Sequence, residues 1–282
     1  MIGGLLIVAS GAAAGVFGSL LGLGGGILIV PLLTLGFGLP FREAVGVSLV
    51  SVIVTSGASA GVYLQRHVAN LRLGMTLELF TATGALVGGL IAFLLSEQVI
   101  AALFAALLAY TAISMARGRE RDTPSAEAEA NGDATATDGS DGEATNGSFV
   151  ASLSGPGYTV RRLPAGIVGS LFAGVVSALL GVGGGLVKVP VMHLLMGVPL
   201  RTATATSNLM IGVTASASAI IYLLRGGIDP FVAGPTAIGV FIGASIGSRT
   251  AHRIDLRLLR ILFVVVLLFT AVQMAQRALA LG

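Results

Sequence analysis

One stretch of this chain constrains its fold more than any other. Leu21-Gly22-Leu23-Gly24-Gly25-Gly26-Ile27-Leu28-Ile29-Val30-Pro31 sets four glycines in five positions inside a long apolar run. It returns as Leu180-Gly181-Val182-Gly183-Gly184-Gly185-Leu186-Val187-Lys188-Val189-Pro190. The offset is 159 residues and needs no gap: Pro40 falls on Pro199, Arg42 on Arg201, Ser48 on Ser207, Thr55 on Thr214 and Tyr63 on Tyr222. From residue 15 to residue 70, 24 of 56 positions match their mates identically, more than shared apolar composition explains. The chain is one module written twice.

The module is built for lipid. Of 282 residues 55% are hydrophobic and only 10% charged, with a mean hydropathy of +0.95, whereas soluble domains carry about 25% charged residues. Eight of the thirteen acids fall in one central segment. The high isoelectric point therefore reflects membrane topology, and no basic surface patch recommends a nucleic-acid partner. The chain has no cysteine, which excludes disulfides, thiolate chemistry and Cys-ligated metal. Fifteen of the sixteen bases are arginine, and Lys188 is the only lysine. This bias and the acidic, lysine-free connector hint at a salt-loving or GC-rich source. The first residues, Met1-Ile2-Gly3-Gly4, lack the positive start of a secretory signal. They are taken as a retained helix, because their mates lie in mid-chain.

Three regions follow: a first transmembrane repeat (1–116), an acidic connector (117–163) and a second repeat (164–282). Residues 2–39 exceed one span of about 20 residues and must break at the glycines, each of which weakens a helix by about 1 kcal/mol relative to alanine. Further spans are expected at 44–64, 75–95 and 99–115. The second copy repeats the plan at 165–180, 186–196, 203–224, 231–248 and 258–275. The expected fold is an all-α polytopic membrane protein with two homologous halves, glycine-broken helices and about 8–10 membrane segments. The connector is too poor in large apolar residues to offset its ordering entropy and is expected to be disordered and cytoplasmic. On the cytoplasmic side the Asn146-Gly147-Ser148 triplet is a chance match to a glycosylation pattern.

Arginine placement bears on how often each copy crosses. If the glycines only kink one crossing, the loops divide nine arginines against six. If they reverse the chain, the division is twelve against three, the three being Arg42, Arg225 and Arg277. Arginines concentrate on the cytoplasmic side, which favours reversal, five passes per copy and inverted repeats with both termini outside the cell membrane. The four-pass parallel arrangement with a kinked first helix is the alternative.

The chemistry candidates follow from the breaks. A half-helix that starts inside a membrane presents unpaired N–H groups and a partial positive charge, an anion cradle. Gly22, Gly24, Gly25 and Gly26 in one copy, and Gly181, Gly183, Gly184 and Gly185 in the other, are expected to face a shared site at mid-depth. Close helix packing is the other use of such glycines. The spacing does not fit a dinucleotide or phosphate-loop fingerprint. Lys188 lies three residues after Gly185 in an apolar run, and needs a partner, a water-filled cavity or a substrate unless it snorkels. Ser48 and, in the second copy, Ser207 and Asn208 belong to hydroxyl stripes that include Thr55, Ser59, Thr214 and Ser218. Such stripes either hold oxyanion oxygens or join helices. His193 could carry protons, but a lone histidine near a helix end is expected to make a structural hydrogen bond, and Glu78 to sit hydrated near its helix start. No catalytic constellation, metal-ligand set or cofactor motif recurs, so enzymatic chemistry has no visible groups.

These features resemble the TauE/SafE sulfite exporters. The resemblance rests on the G-x-G-G-G string followed by an apolar pentad ending at Pro31 or Pro190, on the helix starts at 44–48 and 203–208, and on the two-copy layout. It covers nearly the whole chain except the connector, which is unusually long and acidic for the pattern. It implies export or uptake of small sulfur-containing anions, such as sulfite or organosulfonates. The reading is a secondary transporter, in the first place an exporter, that rocks one half against the other. Its partners are a small anion and the lipid bilayer, and a homo-oligomer is left open. A non-transporting membrane scaffold or assembly factor is the alternative.

Overall fold

The structure is a computed structural model, described over residues 2–20, 25–65, 69–117, 153–155, 158–250 and 256–280. Gly22, Gly24 and most of the acidic connector lie outside the described residues. Ten helices follow in two sets of five, and no strand occurs among the described residues. The first set is α1 (Ile2–Leu20), α2 (Gly26–Pro31, extended by a wider π turn over Leu32–Gly36), α3 (Phe41–Gln65), α4 (Leu71–Leu94) and α5 (Glu97–Arg117). The second is α6 (Leu163–Leu180), α7 (Gly185–Pro190, extended by Val191–Leu195), α8 (Leu200–Leu224), α9 (Pro230–Thr250) and α10 (Leu256–Ala280). Seven helices carry windows long and apolar enough to cross a bilayer, and α1, α2 and α7 hold shorter apolar stretches. Leu79, Leu94, Phe172, Phe231 and Phe269 stand exposed on the outer faces, as lipid contact requires.

Each copy breaks its first apolar run where the glycines fall. Gly25 and Gly184 cap α2 and α7 with φ of 75°, a left-handed conformation that costs glycine little and other residues more. A Cβ on Gly25 would lie 3.5 Å from the Ala14 carbonyl oxygen, and one on Gly184 would lie 3.3 Å from that of Ala173, its mate by the same offset. Each half-helix thus starts beside the middle of the helix before it. The wider turns after Pro31 and Pro190 follow from the missing proline N–H.

Packing between copies obeys a two-fold exchange. Helix α1 lies along α9 while its mate α6 lies along α4, α3 crosses α8, and α5 pairs with α10. Glycine makes the first two contacts close. A Cβ on Gly243 would meet the Ala12 oxygen at 2.0 Å, and one on Gly84 would meet that of Leu171 at 2.1 Å. Gly247 against Val16 and Gly88 against Val175 repeat the contact one turn on, so both pairs run parallel. Gly46, early in α3, abuts the Gly227 oxygen in the turn before α9. Arg277, near the end of α10, donates to the Thr34 and Leu39 carbonyls that follow α2. These contacts place the end of α2 and the start of α3 at the end of the bundle from which α1 sets out.

The last residues of the connector are packed, where the sequence suggested disorder. Leu153 and Val160 are buried, Asn70 donates from Nδ2 to the Leu153 carbonyl and the Tyr158 hydroxyl (both 2.8 Å), and the Arg161 N–H bonds to the Met196 oxygen at 3.0 Å. The apolar residues that allow this come after Phe149, beyond the acidic run.

The glycine contacts carry a test. Gly174→Val puts a side chain where a Cβ already lies 2.0 Å from the Thr81 oxygen, and should destabilise the bundle by roughly 1–3 kcal/mol or more. Gly234→Ala, with open space around it, should leave the thermal unfolding temperature in detergent near that of the wild type.

Candidate functional site

The two breaks meet. A Cβ added to Gly26 would lie 2.5 Å from the Gly181 oxygen, so the backbones touch as closely as glycine allows. Ser48 on α3 joins them: its Oγ lies 2.7 Å from the Gly181 carbonyl oxygen and 3.2 Å from that of Gly26, and it is fully buried. Carbonyls freed by a broken helix need such a donor in a dry interior. Gly183 faces Val52 and Ile211, which are mates on α3 and α8, so the breaks lie where these helices cross.

Around the second break the hydrogen bonding is incomplete. Ser207, the mate of Ser48, is fully buried and its Oγ has no partner. That oxygen lies 3.5 Å from where a Gly185 Cβ would be. Ser177 Oγ, 3.7 Å from the Gly184 Cβ position, is also buried and unpartnered. Two unmet hydroxyls thus border the glycines. The N–H groups of Gly185 and Leu186 open α7 and so have no acceptor within the helix, as at any helix start.

The other stripe residues mainly serve their own helices. Thr55 bonds to the Ser51 and Val52 carbonyls, and Ser218 to that of Thr214. Asn208 is buried, and its carbonyl accepts from Ser56 Oγ at 2.9 Å while Ser56 accepts from the Gly212 N–H at 3.0 Å. Both bonds tie α3 to α8. The Ser59 side chain lies outside the described residues. His193 makes the expected structural bond, its Nδ1 lying 2.9 Å from the Val198 carbonyl oxygen.

Lys188 has a protein partner. Its Nζ is ion-paired with Glu78 Oε2 from α4, and Thr214 of α8 donates to Glu78 Oε1 at 2.5 Å. The side chains are 2% and 5% exposed, so neither charge reaches the surface. Glu78 therefore does not sit hydrated at a helix start. It is the eighth residue of α4, past the first turn where the dipole acts, and the ammonium replaces the water it gives up. A signal for this was in the sequence. Lys188 needed a countercharge, and of the five acids outside the connector Glu78 is the one within an apolar run.

At one end of the bundle, Arg42 and Arg225 each lie 5.8 Å from the Phe93 ring centre. Arg42 also donates to the Leu95 carbonyl. Among the described residues no cluster of His, Asp or Glu could hold a metal ion.

Removing one charge and removing both should differ. Lys188→Ile leaves a buried carboxylate unpaired and should cost roughly 3–5 kcal/mol in thermal unfolding. Glu78→Ala with Lys188→Ile should recover most of that loss.

The chain is similar to known membrane proteins over most of its length. A model of the family described as sulfite exporter TauE/SafE matches residues 7–274. A probable membrane transporter protein, YunE of Bacillus subtilis, is 25% identical over 278 residues, covering 96% of each chain. Another, MJ0441 of Methanocaldococcus jannaschii, is 25% identical over 272 residues, covering 91% of this chain and 90% of its own. A third, from Xylella fastidiosa, is 25% identical over 251 residues, covering 88% and 85%. No solved structure matches.

Proposed function

Because the chain belongs to the TauE/SafE sulfite exporter family, we propose that this membrane transporter carries a small oxyanion, in the class of sulfite and organosulfonates, held where the two glycine breaks cross. One observation carries the reading: Gly26 and Gly181 touch at the α3–α8 crossing, with the unpaired hydroxyls of Ser207 and Ser177 beside Gly185 and Gly184. Neutral donors and helix starts in a dry interior suit an anion that must later leave, since a deep well of fixed charge would trap it. Ser48 shapes the site from the first copy by holding both breaks, and in the second Lys188, its charge matched by Glu78, stands one turn after Gly184. Asn208 acts through its backbone bond to Ser56.

The copies are read as inverted across the bilayer. The start of α3 beside the turn before α9, and the end of α10 beside the end of α2, both support a chain that turns back at each break. Arg42, Arg225 and Arg277, the three arginines that reversal assigns to the outer side, gather at that same end of the bundle. The cytoplasmic connector and outer termini follow from this orientation.

Alternating access then involves interleaved bodies, a refinement of one copy rocking on the other. Helices α1, α2, α3 and α9 pack as one group, and α6, α7, α8 and α4 as the other. They meet along α3 and α8, with α5 and α10 paired at the side. The site sits on that meeting line.

Counterflow in reconstituted vesicles tests the substrate class. Labelled sulfite or methanesulfonate should exchange through the wild type, and Ser207→Ala should slow exchange about tenfold if its hydroxyl contacts the anion. Absence of exchange for every anion would remove the transporter reading. Orientation is tested by cysteine labelling from outside intact cells: Arg225→Cys should react and Arg201→Cys should be protected, and the opposite pattern would establish parallel copies.

A further inference from the structure

We propose that Glu78 and Lys188 form a proton-operated charge switch, through which one proton moves in the same direction as each anion; this rests on the transport reading above and names its coupling ion. Internal symmetry supplies the main argument. The 159-residue offset that pairs Gly84 with Gly243 and Gly88 with Gly247 puts Ala237 at the place of Glu78 and Ile29 at the place of Lys188. Ile29 is fully buried, so the first copy builds the same junction from apolar side chains. Thr55, the mate of Thr214, bonds to its own helix, whereas Thr214 turns to Glu78. The architecture therefore has no need of a charged pair here. Buried pairs commonly do no better for stability than well-packed apolar residues, so the one on this side is there for something other than packing.

The surroundings leave the pair two states. Helix α4 packs against α6 and α8, with α7 alongside α8. Within Leu163–Leu180 of α6 there is no titratable side chain. Helix α8 carries Arg201 in its first turn and Tyr222, whose hydroxyl donates to the Ala178 carbonyl at 3.0 Å. Arg72 stands exposed at the start of α4, and His193 is bonded to the Val198 carbonyl. Lys188 is thus the charged group facing Glu78.

With the site empty, carboxylate and ammonium cancel. When a proton binds the Glu78 carboxylate, forming one O–H bond, the ion pair is lost and the ammonium becomes the countercharge for an anion at the break, one turn from which the Lys188 backbone stands, its N–H bonded to the Gly184 carbonyl. No electron moves and no other bond changes. The group is electrically neutral both as the empty ion pair and as protonated acid, ammonium and anion together. Half-loaded forms carry a net charge in a dry interior and are disfavoured. Proton and anion therefore raise each other's affinity, as linkage requires. An inward proton gradient then drives uptake, and export requires an outward anion gradient steeper than the proton gradient.

The test uses the full-length protein in vesicles held at zero potential with valinomycin and equal potassium. Counterflow at equal pH first selects, from radiolabelled methanesulfonate, ethanesulfonate and hydrogensulfite at an assay pH where each is a monoanion, an anion that the wild type exchanges. An acid exterior of one pH unit should then concentrate that anion inside, approaching about tenfold for one proton per anion. Glu78→Gln, a fixed neutral mimic of the protonated acid, should keep counterflow while its accumulation ratio falls to near one. The Glu78→Ala, Lys188→Ile variant copies the first junction; it should unfold at a temperature near the wild type's and fail to accumulate the anion. Proton-driven accumulation by either variant at the wild-type level overturns the switch, as does wild-type counterflow indifferent to the gradient. Absence of counterflow in the wild type instead overturns the transport reading, and the switch with it.

Discussion

A helix that begins inside a bilayer leaves backbone N–H and C=O groups with no water to satisfy them, so it can exist only where other protein covers its start. Everything distinctive in this bundle answers that constraint. Two half-helices begin beside the middle of the helix before them, and Ser48 binds the carbonyl of Gly26 in one copy and of Gly181 in the other. One hydroxyl thus serves both interruptions, which holds them in contact. The glycines are needed twice over, for the left-handed caps at Gly25 and Gly184 and for the backbone contact at Gly26. A side chain at Gly26 would push the breaks apart, and each would then need cover of its own.

Duplication gives the bundle its two-fold exchange, and a few polar residues depart from it. The glycine contacts of α1 with α9 and of α6 with α4 repeat at Gly15 and Gly174, Gly84 and Gly243, and Gly88 and Gly247. Ser48 and Ser207 do not: the first has two acceptors and the second none. Glu78, Lys188 and Thr214 face Ala237, Ile29 and Thr55 across the same relation. Packing alone would keep mates alike, because the same backbone approach selects the same side chains. The proposed site and its charge switch rest on these polar groups that only one copy carries.

Much of the bundle was legible in the chain. Apolar runs gave the helices, and glycine density with Pro31 and Pro190 gave the breaks, because both signals are local. The offset of 159 carried the two-fold relation from one copy to the other. The partner of Lys188 was harder to see. Glu78 lies 110 residues away, and joining them requires knowing that α4 packs against the second copy rather than its own. The hydroxyl stripes misled in part, since a helical serine or threonine can satisfy itself on the carbonyl three or four residues back, as Thr55 and Ser218 do. The connector's end also differed, because burial of Leu153 and Val160 depends on a surface formed by distant elements.

The interleaving of the copies limits how the molecule can move. If each copy were a rigid body, a rocking motion would tear α1 from α9 and α4 from α6, the closest backbone contacts in the bundle. Such contacts tolerate little separation, since dispersion falls steeply with distance. Motion that keeps them whole must divide the molecule between α3 and α8 instead. That boundary is closely packed, with Gly26 against the Gly181 oxygen and Gly212 against Ser56, and it is bridged by Ser56 to the Asn208 carbonyl and the Gly212 N–H and by Ser48 to the Gly181 carbonyl. Glu78, Lys188 and Thr214 all belong to one of the two bodies, so their charge state can change without parting the seam. The proposed anion site at the breaks lies on the seam itself, so in that proposal the arrival or departure of the anion is what a movement along that line would feel.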